Sequence, residues 1–283
     1  MADVAIATSS DYPELGPFDR GFVAALADVG VSAEPAVWSD AAGAWRSAKA
    51  VVIRSTWDSH IAPDRFLAWA DEVERTRLLL NPARLLRWNL HKFYLRELEA
   101  RGVPVTPTEW LRRGETADLG ELMRRRGWGR AVVKPAVSAS AHETHIVTIA
   151  EAGVAQPVLD RLAKAHDLLV QPYLRAFETE GERSFVFFDG CFSHAVRRPP
   201  TLANAPRGFD SPAVMAPDPV ELGLAERVMA ALDESPLYAR VDLATDNDGT
   251  ARLQEIELVE PCLFLSLAEG AVDRLAAGIA ARL

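Results

Sequence analysis

The sequence predicts an α/β fold, with an α+β arrangement in its C-terminal half. In the first 80 residues, short apolar runs alternate with segments whose apolar residues recur at helical spacing. That alternation is typical of βαβ units and a parallel sheet. In the second half, two pairs of apolar segments flank the turn signals at 189–190 and 246–249. Such pairs predict hairpins and therefore an antiparallel sheet.

The N-terminal elements follow from apolar periodicity and from helix end signals. Strands are expected at residues 4–9, 31–38, 50–57 and 77–82. A helix is expected over 17–30, because Pro17 suits a helix start and Gly30 a helix end. A second helix covers 62–76, and its inner side carries Phe66, Leu67, Trp69, Ala70 and Val73.

The later elements follow in the same way. Residues 88–102 predict one continuous helix with an apolar stripe, ending at Gly102. Beyond it the sequence predicts strands at 130–137, 146–150 and 168–174, helices at 119–128, 154–166 and 219–233, and a C-terminal helix. Three domains are expected, with boundaries at residues 1–88, 89–174 and 175–283.

Composition excludes several classes of protein. The 283 residues are 49% apolar and 25% charged, and the formal net charge is −9, which argues against a general nucleic-acid or acidic-membrane binder. Cys191 and Cys262 lack metal-ligand spacing, so a reduced, cytoplasmic protein is expected. The N-terminus lacks signal-peptide features, and no apolar run is long enough to span a membrane.

A polar cluster follows the apolar strand at 51–53. Arg54, Ser55, Thr56 and Asp58 occupy the carboxyl end of that strand, where open parallel sheets bind ligands. An arginine there can clamp a carboxylate with two parallel hydrogen bonds. We therefore expect these four residues to bind the amino-acid end of a substrate. The alternative for Asp58 is that it only caps the next helix.

Three acidic residues are placed to converge on one sheet face. Glu255 and Glu257 are two apart in the last strand, and Asp242 lies in the antiparallel neighbour. Mg²⁺ prefers oxygen ligands and binds through one or two carboxylates together with substrate phosphates. The alternative is a solvated face on which Arg240 or Arg252 neutralises the acids.

Two lysines and a loop of small residues complete the pattern. Lys134 lies within the predicted strand at 130–137 and Lys92 within the predicted helix at 88–102. A loop of serines and alanines at 138–141 follows Lys134. Together with the acids, these features describe a nucleoside triphosphate site that lacks a P-loop.

The order of these features resembles the ATP-grasp ligases, and among them the glutathione synthetase type. The resemblance covers nearly the whole chain and rests on the segments NLHKFYLRELEARGVPVTPT, VVKPAVSASAHETH, LLVQPYL, FFDGCFSHAVRRPP and ARVDL…LQEIELVEP. It implies an ATP-grasp fold with a Rossmann-like substrate domain, a small central lid domain and a C-terminal antiparallel domain. ATP and Mg²⁺ are the cofactors that it implies.

The resemblance also implies roles for individual residues. The residues expected to bind the ATP phosphates are Lys92, Lys134, Ser138, Ala139, Ser140 and Ala141, and those expected to hold adenine are Gln171, Pro172, Tyr173 and Leu174. The ribose is expected to bind Glu180, with Glu178 and Glu182 as alternatives. Arg197, and after it Arg198, is expected to stabilise the acyl phosphate, and Mg²⁺ is expected to bind Asp242, Glu255 and Glu257.

Two positions depart from the family pattern. The triphosphate loop is normally rich in glycine, which lets backbone N–H groups approach oxygen closely, but residues 138–141 contain none. Glu257 stands where the magnesium motif usually has asparagine. His142 and His145 suggest a metal ligand or a base, but a loop surface or phosphate contact is the simpler interpretation.

The implied activity is an ATP-dependent carboxylate–amine ligase that forms an amide through an acyl phosphate. The segments RSTWDSH and ELVEPCLFL are most similar to small bacterial ligases of antibiotic biosynthesis, including those that close the ring of D-cycloserine from an aminooxy amino acid. Dipeptide formation and a non-catalytic ATP-binding protein are the alternatives. A dinucleotide-dependent dehydrogenase is disfavoured because GxGxxG is absent after the first strand. A homodimer is compatible with the sequence.

Overall fold

A computed structural model describes residues 2–19, 21–139, 141–199 and 212–283. Its N-terminal sheet has four parallel strands in the order β2-β1-β3-β4. The elements are β1 (Val4–Thr8), α1 (Phe22–Asp28), β2 (Ala33–Val37), β3 (Ala50–Ser55), α2 (Pro63–Thr76) and β4 (Leu78–Leu80). The predicted parallel α/β layer is confirmed. Its strands all end at one edge, where residues 54–60 form the end of β3 and the turn that follows it.

Helix α1 is shorter than the sequence predicts. It begins at Phe22 because Gly21, with φ of 82°, holds a left-handed backbone immediately before it. The prediction of a helix from Pro17 was therefore wrong for residues 17–19. Helix α2 agrees with prediction, and Phe66, Trp69, Ala70 and Val73 are buried on its inner side.

The central sheet is antiparallel, in the order β5-β8-β6-β7. The elements around it are α3 (Ala83–Leu90), α4 (Tyr94–Ala100), β5 (Glu109–Leu111), α5 (Leu119–Arg126), β6 (Arg130–Pro135), β7 (His145–Thr148), α6 (Ala152–Ala165) and β8 (Leu168–Pro172). Helices α5 and α6 pack on it through a core that includes Leu122, Met123 and Leu162.

The single helix predicted over 88–102 is in fact two helices. Helix α3 ends where His91 adopts an extended backbone (φ −104°, ψ 107°), and α4 begins at Tyr94. Tertiary hydrogen bonds stabilise the break, because the Lys92 N–H donates to the Ala136 carbonyl (2.8 Å). Lys92 thus lies between two helices instead of on one.

The C-terminal sheet is antiparallel as predicted, in the order β11-β10-β9-β12-β13. The elements are α7 (Ala176–Thr179), β9 (Glu182–Phe188), β10 (Cys191–Arg198), β11 (Ala213–Met215), α8 (Pro219–Ala230), β12 (Tyr238–Thr245), β13 (Ala251–Glu257) and α9 (Ala271–Ala280). Asp189 and Gly190 turn the first hairpin with φ of 53° and 77°, as a two-residue turn requires.

The N-terminal and C-terminal sheets share a hydrophobic core. Val4 and Ile6 of β1 pack in one cluster with Leu275 and Ile279 of α9, so the last helix covers the first sheet. The three predicted domain boundaries stay predictions. Within the described residues, no helix is both long and apolar enough to cross a membrane.

Candidate active site

Strands β12 and β13 bring the predicted acidic residues together. Asp242 pairs in register with Glu255, and Arg240 pairs with Glu257 two residues away. The three carboxyl groups influence one another electrostatically, because Glu255 and Asp242 both raise the pKa of Glu257. The three acids predicted to converge therefore do lie close together. We call them the acid cluster (Asp242, Glu255 and Glu257).

Asp242 is buried within a shell of donors. Its carboxylate accepts from the Ser184 hydroxyl (2.7 Å) and is paired with Arg240 (2.8 Å) and Arg198 (3.2 Å). Burial alone would raise the pKa of Asp242, but the two guanidinium groups and the hydrogen bonds outweigh it, and the pKa lies below its ordinary value. The carboxylate is therefore held in its charged form.

Glu257 is in a different state. Burial raises its pKa to about 7, against the attraction of Arg240, with which it forms an ion pair. Its charge is therefore held less firmly than that of Asp242. It adds a carboxyl group at the position where the family pattern has a neutral asparagine.

The alternative interpretation, in which Arg240 or Arg252 neutralises the acids, is correct for Arg240 only. Arg240 does neutralise Asp242 and Glu257, whereas Arg252 pairs with Asp246 (2.5 Å) and Asp248 (2.9 Å) at the hairpin turn. In the parts of the chain that the structure describes, no three His, Cys, Asp or Glu side chains are arranged as a ready metal site. The acid cluster supplies oxygen donors suited to Mg²⁺, and protein cations occupy them here.

Lys92 links the acid cluster to the triphosphate loop. Its ammonium donates to the Ser138 carbonyl (2.6 Å) and pairs with Glu255 (2.9 Å), and the residue is 7% exposed. The break between α3 and α4 makes this possible, because it places the Lys92 backbone against Ala136. A buried ammonium thus lies between the loop and the acids.

The triphosphate loop itself is only partly described. Lys134 is half-buried in β6, Ser138 and Ala139 are half-buried, and the Ser138 hydroxyl donates to the Pro135 carbonyl (3.1 Å). Ser140 lies outside the described residues. Ala141 and Glu143 have φ of 54° and 51°, a left-handed conformation that favours glycine.

The two histidines of this loop do not form a metal site among the described residues. The His142 ring lies 5.7 Å from the ring of His60, which belongs to the polar cluster after β3. The loop therefore contacts the carboxyl end of the N-terminal sheet. His145 lies in β7, as the first residue of that strand.

The segment predicted to hold adenine ends β8. Gln171, Pro172, Tyr173 and Leu174 are all buried. The Gln171 side chain donates to Thr108 (2.9 Å), and its Oε1 is buried without a hydrogen-bond partner among the described residues. The Tyr173 backbone is already engaged, with Arg130 and with Asn247.

The structure separates the three acids considered for the ribose. Glu178 pairs with Arg130 (3.0 Å), and Glu182 pairs with Arg198 in the interior. Glu180 accepts from Thr245 (2.6 Å) with half of its side chain exposed. Glu178 and Glu180 are therefore both exposed near the end of β8, whereas Glu182 is set apart by its interior ion pair.

The two arginines of β10 point in different directions. Arg197 is exposed, and its Nε donates to the Glu180 carbonyl (2.7 Å). Arg198 is half-buried and pairs with Glu182 and with Asp242 of the acid cluster. The sequence ranked Arg197 first, but placement favours Arg198.

The polar cluster after β3 is buried. Arg54 is 1% exposed and pairs with Asp19 (2.9 Å), while Ser55 accepts from the Gly16 N–H (2.8 Å). Asp58 accepts from Trp38 (2.8 Å) and makes no side-chain cap on the following helical turn. The capping alternative for Asp58 is therefore wrong.

Several polar atoms of this cluster lack a partner. Arg54 Nε and Nη1, Thr56 Oγ1 and His60 Nδ1 are buried without hydrogen bonds to any residue that the structure describes. Buried polar groups in folded proteins are nearly always paired, and leaving one unpaired costs about 1–3 kcal/mol. Such unpaired groups mark a place that a polar ligand would complete.

Sequence reasoning missed two acids at this end. Asp19 pairs with Arg54, and Glu260 accepts from the Ser59 hydroxyl (2.8 Å). Glu260 had a signal, since it is the third acid in the run from 255 to 260, immediately before Pro261. Asp19 had none, because its partner lies 35 residues away.

Comparison with known proteins settles the family. Residues 4–81 match a family model described as the N-terminal domain of D-cycloserine synthetase DcsG. The chain is 32% identical over 273 residues to the cycloserine biosynthesis protein DcsG of Streptomyces lavendulae, and the alignment covers 90% of each chain. The chain belongs to the DcsG family of ATP-grasp ligases.

Structural comparisons agree with this membership. The crystal structure of D-cycloserine synthetase DcsG matches with a TM-score of 0.89 at 30% identity over 99% of each chain. D-alanine–D-alanine ligase from Bacillus anthracis, complexed with ATP, matches with a TM-score of 0.69 at 15% identity; this second likeness shows the fold alone. As a DcsG-family ATP-grasp ligase, the chain is a nucleotide-binding enzyme that makes amide bonds at the expense of ATP.

Proposed function

We propose that this enzyme activates the carboxylate of a small amino-acid-like substrate as an acyl phosphate, and then closes a ring by attack of the substrate's own aminooxy nitrogen. The observation that carries this proposal is the position of Lys92, whose ammonium contacts both the triphosphate loop at Ser138 and the acid cluster at Glu255. The match to a cycloserine-forming relative supports the choice of substrate.

The nucleotide end is assigned to the central sheet and to the segments that flank it. Lys92, Lys134 and the backbone of 138–141 take the phosphates, residues 171–174 enclose the adenine, and Glu180 takes the ribose. The unpaired Gln171 Oε1 supports the adenine assignment, since an exocyclic amino group is a suitable donor for it.

Mg²⁺ fits the donor set of the acid cluster, where carboxylate oxygens from β12 and β13 lie in register. Asp242 and Glu255 would hold the ion, with Glu257 as an additional ligand. When bound, Mg²⁺ supplies positive charge that neutralises the triphosphate.

The substrate end is assigned to the polar cluster after β3. Arg54 and Thr56 offer the unpaired buried donors, and Ser55 and Asp58 surround them. Arg54 is tied to Asp19, so its remaining N–H groups have a fixed direction. Donors with a fixed direction can orient one polar substrate, which is more than nonspecific anion binding requires.

The protein's own residues then perform the chemistry. The lysines position the γ-phosphoryl group for attack by the substrate carboxylate, and Arg198, beside Asp242, stabilises charge on the acyl phosphate. The contact between His142 and His60 closes the loop over the substrate cluster, which excludes water from the intermediate.

Intermolecular dipeptide formation uses the same residues and is the alternative. A non-catalytic ATP-binding protein is excluded, because the chain belongs to a family of amide-forming ligases. We also place the enzyme in the cytoplasm, in keeping with its two free thiols; a homodimer stays a prediction.

One incubation distinguishes these functions. The protein is mixed with ATP, Mg²⁺ and O-amino-D-serine, its L enantiomer, or a pool of amino acids, and ADP, AMP and product mass are measured. The proposal predicts ADP and a product one water lighter than the aminooxy substrate. A dipeptide mass supports the alternative, and ATP binding without ADP release contradicts the proposal. AMP release contradicts the acyl-phosphate chemistry.

A further inference from the structure

Glu260 lies between the two ends of the proposed site. Its carboxylate accepts from Ser59 in the polar cluster after β3, and its backbone carbonyl accepts from Trp57 Nε1 (3.0 Å). Glu260 follows β13, the strand that carries the acid cluster, by three residues. It therefore joins the substrate end to the nucleotide end, and its side chain is half-buried.

The partners of Glu260 differ from those of the other acids nearby. Asp242, Glu255, Glu257 and Glu182 each form an ion pair with an arginine or lysine. Among the residues that the structure describes, Glu260 forms no ion pair, and a neutral hydroxyl is its hydrogen-bond donor. One carboxylate oxygen therefore remains available to a ligand in a site otherwise saturated with cations.

The second half of the reaction needs such a group. When an amine attacks an acyl phosphate, the nitrogen forms a bond to carbon while it still carries its hydrogens, so a proton must leave. The lysine and arginines at the site are charged and cannot accept it, and the acid cluster is committed to cations. We propose that Glu260 is the catalytic residue that accepts this proton from the attacking nitrogen.

The step balances as follows. The nitrogen lone pair forms the C–N bond, the C–O bond to the phosphoryl group breaks, and phosphate leaves with that electron pair. One N–H proton passes to the Glu260 carboxylate, which later returns it to solvent. Ser59 is a positioning residue, since its hydroxyl holds the carboxylate toward the substrate end. This inference rests on the proposed function.

The electrostatic environment of Glu260 agrees with its role as the proton acceptor. The pKa of Glu260 is raised to about 8, chiefly by burial and also by Glu257 and Glu255, against the Ser59 hydrogen bond and Lys92, which lower it. Tyr238, on β12, also faces this carboxyl group. A general base works best when its pKa lies near the working pH.

The decisive test separates the two half-reactions. Glu260→Gln keeps an acceptor for Ser59 but cannot take a proton. With O-amino-D-serine or its L enantiomer, whichever the wild type uses, rapid-quench sampling should show a burst of about one ADP per site. Product formation should then be at least about 100-fold slower than in the wild type. Glu226→Gln, on the exposed surface of α8, is the matched control and should behave as the wild type.

Further outcomes have defined meanings. A Glu260→Asp variant that recovers part of the ring-closure rate supports the proposal, as does a rise of the wild-type rate with pH that Glu260→Gln lacks. Loss of the ADP burst together with ring closure, or unchanged ring closure, overturns it. If the wild type releases no ADP with any substrate, the proposed function fails and this inference fails with it.

Discussion

The acid cluster and the polar cluster after β3 solve the problem of buried polar groups in opposite ways. In the acid cluster every carboxylate meets a cation, and Asp242 alone meets two arginines. In the polar cluster, Arg54 is buried with Nε and Nη1 unpaired, and Thr56 has no partner for its hydroxyl among the described residues. All three carboxylates of the acid cluster are paired without a ligand, although Nε of the neighbouring Arg198 is not, whereas the polar cluster leaves the polar atoms of several residues unpaired in the described part of the chain.

This difference in pairing suggests different roles for the acid cluster and the polar cluster. A charge-balanced cluster is stable before the nucleotide arrives, and the nucleotide only exchanges one set of ionic partners for another. An incomplete cluster stores the cost of unpaired donors, which a fitting substrate recovers on binding. Selectivity is therefore expected at the polar cluster and structural stability at the acid cluster.

The largest predicted effect is on stability at the acid cluster. Asp242→Ala removes one counter-charge from the buried Arg240 and from the half-buried Arg198, so the free energy of unfolding should fall by about 3–5 kcal/mol. Urea denaturation measures it. Asp233→Ala, on an 87% exposed side chain that also pairs with an arginine, should cost less than about 1 kcal/mol; equal losses in both variants would contradict the contrast.

The next effect concerns substrate binding at the polar cluster. Arg54→Ala should raise the KM of the amino-acid substrate about 10- to 100-fold, as expected for loss of a charge-assisted hydrogen bond, and should leave the KM of ATP within about twofold. Steady-state kinetics with each substrate varied in turn provide the measurement. Arg54→Lys keeps the charge but loses the planar fork, so it should recover only part of the affinity. Parallel changes in both KM values would contradict the assignment.

A further effect is a pH dependence of stability that depends on Glu260. Its pKa of about 8 lies above the ordinary value of 4.5, so the folded protein holds the proton more tightly than the unfolded chain does. This stabilisation is complete below about pH 4.5 and is lost as the pH rises through about 8.

Glu260→Gln cannot ionise, so its stability relative to the wild type should increase from about pH 5 and level off above about pH 8. Urea denaturation at several pH values tests this, with Glu226→Gln as the control. A difference between variant and wild type that does not change with pH would show that the carboxyl group titrates normally.

The smallest effect is expected in the triphosphate loop. Ala141→Gly relieves a left-handed backbone conformation, so the free energy of unfolding should rise by up to about 1 kcal/mol, partly offset by the greater freedom of glycine when unfolded. Thermal unfolding measures this change. A clear loss of stability would show that the left-handed conformation carries no strain.

The sequence predicted what local pattern controls. The parallel and antiparallel sheets, helix α2 and the pairing of Asp242 with Glu255 all follow from periodicity and turn signals. The break between α3 and α4 was not predictable, because NLHKFYLREL contains neither proline nor glycine and the break is held by distant groups. Asn89, for example, bonds the backbone of Ile256 and Leu258.

The preference for Arg198 over Arg197 illustrates the same limit within the site. Adjacent residues of a strand project to opposite faces, so the sequence established that one of the two points inward but not which one. That choice depends on the partners Glu182 and Asp242, which lie on other strands.

The formation of an acyl phosphate by the groups around Lys92 is the central claim, and isotope transfer tests it directly. The amino-acid substrate is labelled with ¹⁸O in its carboxylate and converted with ATP, and the released phosphate is analysed by ³¹P NMR. We predict that one labelled oxygen per turnover appears in the phosphate, because the carboxylate oxygen attacks phosphorus. Product formed together with unlabelled phosphate would contradict the account.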